Sequence, residues 1–177
     1  MVANPINIDK IGNVETTISG KISIFLGINS GNSYTKGVSF FEKALAIIQE
    51  KYPHLVEIKI TTDIPYADYQ KYFEKANIIL DQVYGFDQGF NALEAMSKGK
   101  VVFTGAETEF LKHYNLKEDE VAINALPDVD YLVEKLSYII ENPSEIERIS
   151  KNAVQFINKE HHYVTQAQKY LTLWFQS

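Results

Sequence analysis

Residues 21–60 read KISIFLGINSGNSYTKGVSFFEKALAIIQEKYPHLVEIKI. The stretch opens on the apolar run ISIFL and closes on LVEIKI, each short and bounded by turn residues, as strands are. Between them Val38, Phe41, Leu45, Ile48 and Tyr52 recur at steps of three and four, one face of a helix that Pro53 stops. Strand, helix and strand in succession make a parallel unit. The alternation continues outward. NIIL (77–80), VVF (101–103) and VAI (121–123) read as further strands. Tyr66 to Ala76 and Phe90 to Lys98 read as helices, the second ended by Gly99 as a left-handed cap. The fold class expected is α/β, a Rossmann-like parallel sheet of about five or six strands flanked by helices.

A helical tail follows. Leu132, Leu136, Ile139 and Ile140 mark one helix; Asn142 before Pro143 starts the next, with the stripe Ile146, Ile149, Ala153, Phe156 and Ile157; Ala167, Leu171 and Trp174 mark the last. Residues 1–20 are polar and punctuated by Pro5, Gly12 and Gly20, and read as a linker with a short hairpin around NVETTISGK (13–21). No internal repeat divides the remainder, so 21–177 is expected to be one domain.

Lys and Arg number 17 against 23 Asp and Glu, a formal charge of −6, which gives no electrostatic reason to meet a phosphodiester backbone, and no nucleic-acid partner is expected. With no cysteine, disulfides and thiol nucleophiles are excluded. The longest apolar runs, Ala44 to Ile48 and Leu171 to Phe175, are far short of a bilayer span of roughly 20 residues. The start MVANPINIDK lacks the pattern of a signal peptide, so the expected address is cytoplasmic. His161 and His162 are adjacent and His54 and His113 isolated, so no pair has metal-ligand spacing.

Ligands of parallel sheets sit beyond the carboxyl ends of the strands, which directs attention to three loops. In GINSGNSYTKG (27–37), glycines including Gly27 and Gly37 leave backbone N–H groups before a helix, and Lys36 sits at that helix's start, where a cation is unfavourable unless an anion joins it. A solvated turn with a surface lysine is the plain alternative. In DQVYGFDQGFNALEAMSKGK (81–100), Asp81 ends a strand, Gly85 and Gly89 allow close backbone approach, and Glu94 lies one turn into a helix where its carboxylate could accept two ribose hydroxyls. Pairing of Glu94 with Lys98, four residues on, is the alternative. In TTDIPYADYQ (61–70), Tyr66 and Tyr69 suit either base stacking or packing.

GFNALEAMSKGKVVF resembles the nucleotide-sugar-binding signature of family 4-type glycosyltransferases, and Lys36-Gly37 resembles that family's diphosphate lysine after the first strand. The likeness runs over about residues 20 to 175. It implies a GT-B carboxyl-terminal domain, a nucleotide-diphosphate sugar as donor substrate, a retaining reaction, and no metal or other cofactor. On the same basis Lys36 would contact the diphosphate, Glu94 the ribose, and backbone at Gly89, Phe90 and Asn91 the sugar or phosphate, with Ile64 and Pro65 forming the base pocket. Two departures stand out. The family's Arg about five residues before the lysine is missing, and its acid eight positions before Glu94 falls on Phe86, leaving Asp87 as the nearest catalytic substitute.

The resemblance also implies an amino-terminal acceptor-binding domain. NPI (4–6) resembles the connection between the two halves, so that domain is expected to precede Met1, and the chain alone is expected not to transfer sugar in polysaccharide or glycolipid synthesis. The final helix, with Trp174 and Phe175, is expected to drive self-association. A receiver-like binding module and a sugar-nucleotide epimerase fragment are the alternatives; a receiver needs clustered acids after its first strand, where IFLGIN has none.

Overall fold

The computed structural model describes residues 2–12, 14 and 16–176. Its elements are β1 (Ile22–Ile28), α1 (Val38–Lys51), β2 (Val56–Thr62), α2 (Tyr66–Lys75), β3 (Ile78–Leu80), α3 (Phe90–Ser97), β4 (Val101–Thr104), α4 (Thr108–Tyr114), β5 (Ile123–Asn124), α5 (Val129–Glu141), α6 (Pro143–Glu160) and α7 (Tyr163–Gln176). The strands form a five-stranded sheet in the order β2-β1-β3-β4-β5, and all four pairings are parallel.

Because side chains alternate across a strand, each apolar run feeds two cores. Ile24, Leu26, Ile78, Leu80, Val101 and Phe103 face one side and pack on Phe41, Leu45 and Ile48 of α1 and Leu132 and Leu136 of α5. Phe25, Ile79 and Val102 face the other side and pack on Phe73 of α2, Leu93 and Met96 of α3, and Phe156 and Ile157 of α6. The result is three layers, with helices on both faces of the sheet. Among the described residues no helix is long and apolar enough to cross a membrane.

The amino-terminal segment is tied to the helical tail. Ile6 is buried, its N–H donates to the His161 carbonyl at 2.7 Å, and its own carbonyl accepts from Tyr163 N–H at 3.1 Å. The Asn4 carbonyl sits 2.9 Å from His161 Nδ1, and Ala3 N–H donates to Gln166 at 3.1 Å. No hairpin forms among the described residues of 13–21; Asn13 and Glu15 lie outside them. Instead of pairing with each other, these residues lie along the domain. Ile18 packs against the core, and Val14 and Thr16 lie against Gly99, the left-handed cap of α3 at φ +69°.

Candidate functional site

The chain leaves β1 towards β2 on one side and returns to β3 on the other, so the loops following β1 and β3 diverge and open a crevice. A cavity of about 380 Å³ lies there. Gly27, Ile28, Asn29, Asn32 and Lys36 line it from β1 and the following loop, Thr61, Asp63, Ile64, Tyr66 and Tyr69 from the second crossover, and Asn91 from α3. A larger hollow of about 740 Å³ lies between α1, α5 and α6, away from the strand ends. Its three cations are already engaged, Lys51 by Glu141, Lys135 by Glu118 and Asp119, and Arg148 by Glu145. The smaller cavity lies at the carboxyl ends of the strands, where parallel sheets take their ligands, and on that ground is the better site.

Local structure places Lys36. Asn29 accepts from Gly31 N–H at 3.0 Å and opens a single 3-10 turn over Ser30–Asn32. Gly37 adopts φ +65°, a conformation that side chains resist, and turns the chain into α1. The amides of residues 30 to 33 and 36 to 38 all donate within the loop or to Asp63. What this loop presents to an anion is thus the Lys36 ammonium rather than a ring of amides.

That ammonium has a partner. Lys36 Nζ lies 2.7 Å from Asp81 Oδ1, and their side chains are 34% and 2% exposed. Asp81 directly follows β3, and its N–H continues the ladder to Phe103 at 2.9 Å. Its carboxylate also accepts from Asn91 Nδ2 at 3.3 Å and from Thr104 Oγ1 at 3.2 Å. Asn91 in turn accepts from the Tyr69 hydroxyl at 3.0 Å. Burial, with the Asp81 and Glu94 charges adding to it, pushes the Tyr69 pKa up to about 12, so its hydroxyl stays a donor. Asp63 faces the same cavity, and hydrogen bonding from Ser30 holds its carboxyl below the usual range.

Lys36, Gly27, Ile64 and Asn91 come together at the cavity. Gly27 admits the Tyr69 ring: a β-carbon there would lie 2.4 Å from its Cε2. Tyr69 packs on Phe25 at 5.2 Å, while Tyr66 is exposed and stacked on Tyr69 at 6.4 Å between ring centres and 13° between planes, so the two tyrosines divide the roles of packing and display. Pro65 precedes α2, and Gly89 precedes α3, with Phe90 exposed. Gly37 lies behind Lys36, against Val83 and Tyr84.

Two residues stand apart. Glu94 binds Lys98 at 3.0 Å, and Lys98 is shared with Glu74 at 2.6 Å. Asp87 is exposed on the far side of the loop, where its charge acts on Tyr114 of α4 and on His161. Asp81 and Tyr69 are the structural centre of the site, and an acid placed directly after the buried run IIL was the available signal for the first of them.

A family profile described as glycosyl transferase-like matches residues 31–172. Among solved structures, the carboxyl-terminal domain of a group 1 glycosyl transferase from Francisella tularensis is similar with a TM-score of 0.61 and 19% identity over 82% of this chain and 88% of that one. Sucrose-phosphate synthase from Thermosynechococcus elongatus gives a TM-score of 0.72 at 16% identity, over 99% of this chain and 51% of that one. HepE from Anabaena, solved in complex with UDP-glucose, gives 0.68 at 14%, over 99% and 57%. The chain thus spans about half the length of these last two. No curated protein sequence matches it. At these identities the likeness to solved structures establishes the fold, a GT-B carboxyl-terminal domain.

Proposed function

The chain belongs to the glycosyl transferase-like family, and on that premise we propose that it binds the nucleotide-diphosphate sugar donor of a retaining sugar transfer in polysaccharide or glycolipid synthesis. The observation that carries this reading is Lys36, the one cation among the described residues lining the cavity at the sheet's switch point. A cation held there neutralises charge that develops on a leaving diphosphate. The base lies against Ile64, Pro65 and Tyr66, Glu94 takes the ribose hydroxyls, and Gly27, Gly37, Gly89, Phe90 and Asn91 shape the phosphate and sugar end, with Asp87 brought to the donor sugar by movement of its loop. The likeness to HepE, solved with UDP-glucose, supports this donor class.

The acceptor side belongs to a second domain in the same proposal, since two neighbours are about twice as long as this chain. Without it the donor face is open to water and lacks the positioning that supplies about 7 to 11 kcal/mol of catalysis, so residues 1–177 alone bind donor without transferring sugar. A cytoplasmic address and self-association through Leu173, Trp174 and Phe175, exposed on α7, complete the proposal. The strand order is shared with receiver domains, yet Asp81 is buried under Lys36 and no acid follows β1, which disfavours that alternative.

A thermal-shift panel of UDP, GDP, ADP and their sugars tests donor binding, since a ligand at 100 times its dissociation constant stabilises by about 2.7 kcal/mol. A rise in melting temperature with one nucleotide series is expected; no rise with any of them would end the reading.

A further inference from the structure

Lys36 is not waiting for an anion, because a buried carboxylate already occupies it. An ammonium has three donors, and only one of them points to Asp81 Oδ1 at 2.7 Å. Lys36 is one-third exposed, which leaves its remaining donors turned towards the cavity. Asp81 is 4% exposed and satisfied by Lys36, Asn91 and Thr104, with Lys36 its only cationic partner among the described residues. The pair is therefore asymmetric: Lys36 can turn to solvent, whereas Asp81 cannot, and a buried carboxylate left without its cation is costly.

The charges around the cavity follow from this pairing. Lys36 and Asp81 cancel, and Asp63 adds a negative charge on the cavity wall. A diphosphate entering there meets no net positive charge, and it gains Lys36 only by sharing it with the carboxylate beneath.

We propose that Asp81 is an internal counter-ion that competes with the donor diphosphate for Lys36 and so sets the affinity of the site. This rests on the cavity being a nucleoside-diphosphate site. Asp81 holds the ammonium beside the crevice while the site is empty, and takes it back into the ion pair when the nucleoside diphosphate leaves. An acid built into the floor of the site weakens anion binding and speeds release. The roles are opposite to those of a purely structural acid, whose removal would loosen the site.

The test is titration calorimetry of UDP, GDP and ADP with the parent, Asp81→Asn, Lys36→Met and the double variant. Asp81→Asn is expected to bind the preferred nucleotide about tenfold more tightly, the effect of removing one unit charge several ångström away in a partly solvated site. Lys36→Met is expected to bind more weakly, and to unfold at lower urea than the double variant, in which no buried charge is orphaned. Asp81→Ser replaces Asp81→Asn if the amide disturbs folding. Binding that is Lys36-dependent yet unchanged or weaker in both Asp81 variants would overturn the counter-ion role while keeping the nucleotide site. Absence of binding to every protein in the set would overturn both.

Discussion

A β-carbon on Gly37 would lie 2.2 Å from Cγ2 of Val83. The loop after β1 and the loop after β3 are joined at this point, where Val83 N–H also donates to the Lys36 carbonyl at 3.0 Å. The backbone at Lys36 and Gly37 is thereby fixed to the segment that begins with Asp81. Gly37→Ala combines left-handed strain of about 1 to 2 kcal/mol with overpacking of about 1 to 3 kcal/mol, so a loss of roughly 2 to 5 kcal/mol is expected. Gly20 is the control, because it is also left-handed, at φ +83°, but has nothing within 4 Å. Urea unfolding of Gly37→Ala and Gly20→Ala should show a clearly larger loss for the first; equal losses would mean that the contact with Val83 is unimportant.

Glu94 separates stability from recognition. Its partner Lys98 is shared with Glu74, so Glu94→Gln should change stability by no more than about 0.5 kcal/mol. If the carboxylate takes ribose hydroxyls, nucleoside diphosphate affinity should fall by about 10- to 100-fold while inorganic pyrophosphate, which has no ribose, binds as before. A parallel fall for both ligands would place the role of Glu94 in the structure of α3 rather than in recognition.

His161 makes stability depend on pH. Burial lowers its pKa from the ordinary 6.5, outweighing the Asn4 carbonyl and the charges of Glu160 and Asp87 that favour the imidazolium, while Lys169 adds to the lowering. The unfolded chain then binds the extra proton first as pH falls. Stability from this residue is present above about pH 6.5 and is lost as pH drops from there through the lowered folded value. Unfolding midpoints between pH 7.5 and 5 should fall in the parent and fall less in His161→Gln; matching profiles would remove His161 as the cause.

The five strands could be read from the chain because each buried run carries its own signal. ISIFL and NIIL alternate between two cores, and Gly99 marks the end of α3 by its backbone alone. Lys36 was singled out by its loop and Asn91 by the family resemblance, and both line the same cavity. The pairing of Lys36 with Asp81 was not, since it spans 45 positions and depends on which strands become neighbours. The clasp of Asn4 and Ile6 on the junction of α6 and α7 was hidden for the same reason: a polar, glycine-punctuated segment looks like a linker until its partner, more than 150 positions away, is in place. Asp87 shows a further limit, because spacing along the chain does not say to which side a loop turns its carboxylate.

In the proposed reading a nucleoside diphosphate binds at the switch point beside Lys36. Titrating the isotopically labelled chain with UDP, GDP and ADP while following backbone amide resonances reads that binding residue by residue. One nucleotide is expected to shift the signals of Gly27, Lys36, Ile64 and Asn91 together, and Lys36→Ala to weaken the response. Saturable shifts confined to the hollow around Lys51, Lys135 and Arg148, or no shifts with any of the three nucleotides, would contradict it.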